Sequence, residues 1–191
     1  WFPLPAAFRP CLLCFFPFLW SIGIGQDTLP LTLIVAYSLH LLSKGNEVPA
    51  GVLLGLCAYK PHLIWAMPIA LLVSGKRRMA LASMATGAAL AAISFAAVGS
   101  GGVREWLRLL EAPSTDYLPQ IMGNSRALGL QFGPAAGVAI AIFALLSFAV
   151  ILWRGSFTDR FSAAIFTALL LSPHTYWQDY SLLAVVAALA E

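Results

Sequence analysis

The chain has few charged residues. Only 10% of its 191 residues are charged and 60% are apolar, and the mean hydropathy is +0.85. This composition argues against a soluble globular domain. It predicts an all-α fold, a polytopic transmembrane helical bundle with several short or broken helices. The net charge of +3 comes mostly from small basic turns, which argues against nucleic acid as a partner and indicates a membrane-orientation signal instead.

Cysteine and histidine are also scarce, with three of each. Cys11 and Cys14 form a C-x-x-C in an apolar run, but no second pair and no nearby histidine completes a zinc site. We therefore interpret both residues, and Cys57, as buried small hydrophobes. Isolated histidines and scattered acids predict no metal ligand set and no cofactor. A lone divalent ion on substrate phosphate oxygens is the alternative left open.

The chain begins at Trp1, without an initiator methionine or a charged leader. We expect it to be the C-terminal portion of a longer chain, with residues 1–191 forming a single transmembrane domain. Any site completed by upstream residues would then be incomplete in this chain.

Eight apolar runs predict the helices: 11–24, 29–42, 48–59, 63–73, 79–98, 134–153, 161–171 and 180–190. A helix normal to a bilayer needs roughly 20 apolar residues, so only 79–98 and 134–153 span comfortably. Residues 48–73 form either one long helix with Lys60 at mid-membrane or two short helices that meet there. We favour the break, because Pro61 removes a backbone donor and disfavours helical geometry at Lys60.

With this break, the basic residues fall on one side of the membrane, the cytoplasmic side by the positive-inside rule. Four short polar segments, here called the polar islands, then lie together on the outer side. A loop at 99–133 joins them and carries a short interfacial helix at 103–111. Polar groups beside hydrocarbon are costly, so this clustering indicates a functional site. The basic residues are Lys44, Lys76, Arg77, Arg78, Arg154 and Arg160, and the islands are 25–27, 60–62, 123–126 and 172–179.

The first two islands each have a structural and a functional interpretation. Asp27 or Thr28 is placed to cap the following helix, whereas Gln26 is not needed for a cap and offers an amide to a sugar hydroxyl. Lys60 either extends its ammonium to lipid phosphate or, with His62, provides two cations for a phosphate leaving group. The residues alone leave these alternatives open.

The last two islands also have two interpretations. Asn124 and Arg126 belong either to a solvated turn or to a substrate site in which the guanidinium donates to phosphate. Asp179 is placed to cap the helix that follows it, and neighbouring aromatic residues fit an interfacial belt. Neither account explains His174, because an imidazole after Pro173 adds nothing structural.

Short motifs follow one another along the chain: Gly25-Gln26, Ala50-Gly51 with Leu53-Leu54, Lys60-Pro61, Lys76-Arg77-Arg78, Asn124-Ser125 and Ser172-Pro173-His174. Their order and spacing resemble glycosyltransferase family 87, multi-spanning enzymes of the GT-C superfamily that includes polyprenol-phosphate-mannose-dependent mannosyltransferases. The resemblance implies a GT-C-like fold in the cytoplasmic (inner) membrane, surrounded by membrane lipids. It also implies a hexose donor, such as mannose, on a polyprenyl phosphate, and a glycolipid or glycan acceptor at the outer face.

Such a transfer needs a carboxylate that takes the acceptor's hydroxyl proton and donors that stabilise the departing phosphate. The resemblance implies that the general base lies upstream of this chain, with Asp27 and Asp179 as reserve candidates. The candidate substrate-binding residues are Lys60, Arg126 and His174 on the phosphate side, Gln26 and Asn124 as sugar or positioning contacts, and also His62 and Gln178.

Two other classes of function compete with this one. A transporter or lipid flippase would also have broken helices and polar islands, but would place its site near the midplane and often shows inverted repeats, of which we see none. A non-catalytic membrane subunit would use the islands only as loops and caps. That class gains support if Lys60 and His174 lie far apart.

Overall fold

A computed structural model of the protein describes residues 15–111 and 122–189, which are helical and contain no strand. The all-α prediction is confirmed for this part of the chain. Cys57 is buried, as predicted, while Cys11 and Cys14 lie outside the described residues. The α-helices are α1 Phe16–Gly23, α2 Thr28–Ser43, α3 Glu47–Leu56, α4 Pro61–Ile64, α5 Met67–Val73, α6 Arg77–Glu111, α7 Ser125–Phe132, α8 Pro134–Arg154, α9 Phe157–Leu171 and α10 Leu183–Leu189. Two 3₁₀ helices, Cys57–Tyr59 and Trp177–Leu182, follow α3 and precede α10.

The helical path breaks at Lys60, as the sequence predicts. Lys60 has φ −121° and ψ 68°, which is not helical geometry. The next helix, α4, begins at Pro61, a position where the missing backbone donor costs nothing. Residues 65–66 then separate α4 from α5, so the second limb is itself made of two short helices.

Packing against α6 shows that this break is the apex of a hairpin. Gly51 in α3 lies against the backbone of Met79 in α6. One turn further along, Gly55 lies against the backbone of Ser83, so the two helices run in the same direction. By contrast, α5 joins α6 through a tight turn at Gly75, where φ is +77°, and packs against it in the opposite direction. The limbs before and after the break are therefore antiparallel.

The Ala50-Gly51 motif has a packing role in this arrangement. A Cβ on Gly51 would strike the Met79 carbonyl oxygen, and one on Gly55 would lie 2.6 Å from the Ser83 carbonyl oxygen. The G-x-x-x-G spacing is the small-residue pattern that lets helix backbones approach closely. These two glycines hold the hairpin against α6.

The remaining helices complete a core around the hairpin. Ser38 in α2 donates a hydrogen bond to the Ala50 carbonyl of α3, and the two helices are antiparallel. On the other side, α9 packs along α4 and α5, and its Arg160 donates to the Val73 carbonyl at 3.2 Å. Fully buried core side chains include Leu31, Val35, Leu54, Met67, Leu71, Phe161 and Ile165.

These directions give the helices two contrasting ends. The basic end carries Lys44, Lys76, Arg77, Arg78, Arg154 and Arg160, where the turns 44–46, 74–76 and 155–156 meet. The island end carries the Lys60 apex and segments of the other three polar islands. The separation of basic turns from polar islands is therefore confirmed. The assignment of each end to a side of a membrane stays a prediction.

Two of the described helices contain segments long and apolar enough to cross a membrane: Arg77–Leu109 in α6 and Pro134–Arg154, which is α8. Both are largely exposed along their length. A break at Gly99, with φ 64° and ψ 179°, interrupts α6, and the helix then continues to Glu111. Residues 103–111 are thus helical, as predicted. Their position at a membrane interface and the number of membrane passes stay predictions.

Candidate functional site

Groups from all four polar islands meet at the island end. Lys60, from the second island, contacts Asp27 of the first and Asp179 of the fourth. Asn124, from the third, donates a hydrogen bond at 3.0 Å to the backbone carbonyl of Ser172 in the fourth. Residues from distant parts of the sequence therefore form one cluster.

Lys60 is at the centre of this cluster. Its ammonium lies 2.7 Å from Asp27 Oδ1 and 3.4 Å from Asp179 Oδ1, and it donates at 2.7 Å to Thr28 Oγ1. The Lys60 side chain is only 15% exposed. Of the two predicted uses of this ammonium, lipid contact and phosphate binding, neither accounts for these contacts. The sequence did not predict that two carboxylates share this cation.

Asp179 is buried, with a side chain 4% exposed, and both of its carboxylate oxygens accept hydrogen bonds. Its Oδ1 accepts from the Thr28 hydroxyl at 2.8 Å as well as from Lys60. Its Oδ2 accepts from the backbone N–H of Tyr176 at 2.9 Å, at the start of the second 3₁₀ helix. The prediction that Asp179 caps the helix after it is therefore wrong: Asp179 lies inside the second 3₁₀ helix, and its carboxylate bonds back to the residue before that helix while also pairing with Lys60.

Asp27 differs from Asp179 in exposure and in bonding. It stands at the N-cap position of α2, but its side chain makes no capping hydrogen bond, so the capping prediction is wrong for this side chain. The carboxylate turns to Lys60 instead and stays 54% exposed. Its backbone carbonyl accepts from the Tyr59 hydroxyl at 2.9 Å, which ties the start of α2 to the hairpin apex.

Asn124 is completely buried, so the solvated-turn interpretation is wrong for this residue. Its Oδ1 accepts from the backbone N–H of Ala127 at 2.9 Å and caps α7, while its Nδ2 donates to Ser172. Beside it, the Tyr180 hydroxyl donates to the Gly123 carbonyl at 2.6 Å. A Cβ at Gly123 would collide with that hydroxyl, so this position requires glycine. The third and fourth islands are thus joined by side-chain bonds.

The two island histidines lie in the same electrostatic neighbourhood. His62 is half-buried, and burial lowers its pKa. The negative charges of Asp179 and Asp27 act to raise that pKa, whereas the positive charges of Lys60 and His174 act to lower it. His62 therefore interacts with charges contributed by the first, second and fourth islands. This proximity favours one shared site over isolated loop residues.

The other predicted residues occupy different positions around the cluster. Arg126 donates at 3.2 Å to the Pro173 carbonyl, next to His174. Gln178 is buried in the second 3₁₀ helix, 5% exposed, whereas Gln26 is exposed and its backbone bonds to Ser21. Of the two amides, the Gln26 side chain is the one open to a ligand.

Sequence reasoning missed several hydroxyl groups that hold the site together. Thr28 is fully buried and bridges Lys60 to Asp179, accepting from the first and donating to the second. One turn further along α2, Thr32 Oγ1 lies 2.8 Å from Ser181 Oγ in the second 3₁₀ helix. The signal available in the sequence was the spacing of these threonines, four apart on one face of an otherwise apolar helix.

Within residues 15–111 and 122–189, no group of three or more His, Cys, Asp or Glu side chains is placed to hold a metal ion. The chemistry that the described groups offer is a carboxylate with partial exposure, a held ammonium, and cations from the third and fourth islands.

Comparison with known families gives the class of the molecule. The family model of glycosyltransferase family 87 matches residues 1–190. The chain belongs to glycosyltransferase family 87. No curated protein and no solved structure matches it. This match confirms the family resemblance drawn from the short motifs. Membership of the family indicates that the protein is a glycosyltransferase. In this family 87 chain, the island end is where acidic, cationic and amide groups come together.

Proposed function

We propose that the protein is a membrane glycosyltransferase that moves a hexose, such as mannose, from a polyprenyl-phosphate donor to a glycolipid or glycan acceptor. The transfer takes place at the outer face of the cytoplasmic membrane. The observation that carries this proposal is the cluster around Lys60 at the end of the helices opposite the basic turns. Under the positive-inside rule the basic end is cytoplasmic, so the cluster faces outward.

A lipid-linked donor suits the surroundings of the cluster. Phe16 in α1 and Trp177, the first residue of the second 3₁₀ helix, form an exposed aromatic pair with ring centroids 6.3 Å apart. Such rings are typical of the boundary between headgroups and hydrocarbon, where a phosphate with a prenyl tail would lie. A donor in the membrane would therefore present its phosphate at the depth of Lys60.

The transfer itself needs one acid–base group and one phosphate site. The acceptor hydroxyl oxygen attacks the anomeric carbon, and the bond from that carbon to the phosphate oxygen breaks. The hydroxyl proton passes to a carboxylate, and polyprenyl phosphate leaves with the bonding electrons. Between the two candidate carboxylates, Asp27 suits the base because it is half exposed, whereas both oxygens of Asp179 are already hydrogen-bonded.

The phosphate side of the reaction is assigned to the cations of the cluster. Lys60, Arg126 and His174 come from the second, third and fourth islands, and the fourth contacts both of the others. These three side chains provide donors for the charge that develops on the leaving phosphate. Gln26 and Asn124 are assigned to sugar contact and positioning, with Asn124 acting through its buried hydrogen bonds.

The arrangement favours an enzyme over a transporter. Transporter sites lie near the membrane midplane, between repeats. Here the polar side chains are at one end of α2 and at the apex of a hairpin, and the middle of those helices is filled by apolar core residues.

The direct test is sugar transfer in the full protein from a radiolabelled polyprenyl-phosphate hexose. His174→Ala is expected to lower the transfer rate at least 100-fold, because removing one group that stabilises developing charge has this order of effect. Lys60→Ala is expected to abolish transfer but also to weaken the fold, so His174→Ala is the decisive variant.

The matched control is Lys76→Ala, which removes a cation from the basic end and should leave transfer unchanged. Purified His174→Ala protein with normal unfolding behaviour and wild-type transfer would refute the proposed phosphate site. Wild-type protein that transfers sugar only from a nucleotide-sugar donor would refute the donor assignment.

A further inference from the structure

The partners of Lys60 lie on two sides that differ in burial. On one side are the Thr28 hydroxyl and the Asp179 carboxylate, both within the protein interior. On the other side is Asp27, whose carboxylate is 54% exposed. The ammonium therefore has an interior face and an open face.

The interior face is fixed by a chain of hydrogen bonds. Lys60 donates to Thr28 Oγ1, and Thr28 donates to Asp179 Oδ1. Asp179 in turn accepts from the backbone N–H of Tyr176. Each of these hydrogen bonds joins groups that are largely buried, so moving one group would remove a hydrogen bond that water cannot readily replace.

The open face is held by a single contact. Within residues 15–111 and 122–189, the Asp27 carboxylate bonds to Lys60 alone, through Oδ1 at 2.7 Å. Water competes for the exposed side of the Asp27 carboxylate, which weakens this ion pair relative to the buried contacts of Lys60. A competing anion that brings binding energy from elsewhere, such as a sugar or a prenyl chain, can therefore take the place of Asp27.

We propose that Thr28 and Asp179 are positioning residues that hold the Lys60 ammonium in place, and that Asp27 is the partner which an incoming phosphate displaces. This inference rests on the proposed function and deepens it. A donor phosphodiester carries one negative charge, as Asp27 does, so the exchange leaves the charge around Lys60 unchanged. The Asp27 carboxylate is released from Lys60 only when the donor is present, which is also when the transfer needs a base.

The test measures anion binding to the full protein in nanodiscs, with a short-chain polyprenyl phosphate and with inorganic phosphate as separate probes. Asp27→Asn removes the competing charge and is expected to tighten binding of both probes about three- to fivefold, which corresponds to the upper end of an exposed ion pair. A tighter affinity cannot come from structural damage. Unchanged or weaker phosphate binding by Asp27→Asn overturns the exchange.

The positioning role has its own variants. Thr28→Val keeps the shape of the side chain but removes both hydrogen bonds, and it should weaken phosphate binding about tenfold or more. Thr28→Ser restores the hydroxyl and should return affinity to the wild-type range. Equal affinities of the valine and serine variants would overturn the positioning role. The matched control is Asp159→Asn, which removes an exposed carboxylate at the basic end. This variant should bind polyprenyl phosphate and inorganic phosphate as tightly as the wild-type protein does.

The two probes separate this inference from the proposed function. If inorganic phosphate binding depends on Asp27 but polyprenyl phosphate does not bind, the exchange stands and the donor assignment fails. If sugar transfer from the polyprenyl donor is observed but Asp27→Asn does not tighten either probe, the donor assignment stands and the exchange fails. If the wild-type protein binds neither polyprenyl phosphate nor inorganic phosphate, the exchange is overturned.

Discussion

The island end and the basic end both hold charged residues, but they compensate charge in different ways. At the island end, the Lys60 ammonium is largely buried and contacts a carboxylate 119 residues further along the chain. At the basic end, Lys76 is 39% exposed and lies 3.7 Å from Glu47. The acid Asp159 bonds there to its sequence neighbour Ser156. The central cation of the island end is therefore held among buried partners from distant segments, whereas the charged side chains of the basic end make longer or more exposed contacts.

This difference separates orientation from chemistry. Exposed basic turns contribute to the direction of insertion and little to the fold, because exposed charges are well solvated. Buried, paired charges cost desolvation energy and remain only where their partners are held in place. Substitutions at the island end should therefore change both stability and function, whereas equivalent ones at the basic end should change neither by much.

The largest contrast is expected for the two lysines. Lys60→Ala leaves the Asp179 carboxylate buried without its cation and should lower the free energy of unfolding by about 3–5 kcal/mol. Lys76→Ala removes a longer pair whose cation is more exposed than Lys60 and should lower the free energy of unfolding by about 0–1 kcal/mol. Thermal or denaturant unfolding of the two variants in the same detergent measures both values.

A double variant sharpens this comparison. Replacing Lys60 by Met together with Asp179 by Leu removes both charges, and it should recover part of the stability lost in Lys60→Ala. Equal unfolding of Lys60→Ala and Lys76→Ala would show that the island-end cation is solvated like the basic-end one, and the distinction between the ends would fail.

The sequence predicted the parts of this contrast that local rules govern. Pro61 placed the hairpin apex, the basic turns marked one end, and the apolar runs placed most of the helices, though not α7, which lies within the predicted loop at 99–133. What it did not predict were contacts between distant segments. The pairing of Lys60 with Asp179 depends on how α2, the hairpin and the second 3₁₀ helix pack against one another. The pattern of apolar and polar residues predicts single helices but not which helices pack together.

The same limit explains why the sequence left open whether Asn124 belongs to a solvated turn or to a site. A Gly-Asn-Ser-Arg segment is typical of exposed turns, and only the approach of the fourth island buries it. The Gly51 and Gly55 pair shows the converse. Its spacing was visible in the sequence, but its partner, the backbone of α6, became identifiable only from the fold.

A smaller contrast is expected between the two helix caps. Asn124→Ala removes the cap of α7 and leaves the Ser172 carbonyl without its donor in a buried place, so the free energy of unfolding should fall by about 2 kcal/mol. Ser156→Ala removes the exposed cap of α9 at the basic end and should cost less, because water can replace the lost bond. Chemical denaturation of both variants checks the order, and a larger loss for Ser156→Ala would contradict it.

The smallest effect should appear in the response to acid. Burial lowers the pKa of His62 below its ordinary value of 6.5, so the folded protein favours the neutral imidazole. The stability that this group contributes is therefore present above pH 6.5 and is lost as the pH falls through its lowered pKa. At the basic end, the hydrogen bonds from Ser156 lower the pKa of Asp159 below its ordinary value of 3.8. The contribution of Asp159 is present above pH 3.8 and is lost only as the pH falls through that lower value.

The two ends should therefore lose stability in separate pH ranges. Melting temperatures from pH 8 to pH 3, measured for wild type, His62→Gln and Asp159→Asn, resolve them. His62→Gln should flatten the part of the curve just below pH 6.5, and Asp159→Asn should flatten only the part below pH 3.8. If His62→Gln and wild type fall in parallel between pH 7 and pH 5, the imidazole is not desolvated by its neighbours. The island end would then titrate like a solvated surface, and the contrast between the two ends would be confined to Lys60 and its carboxylates.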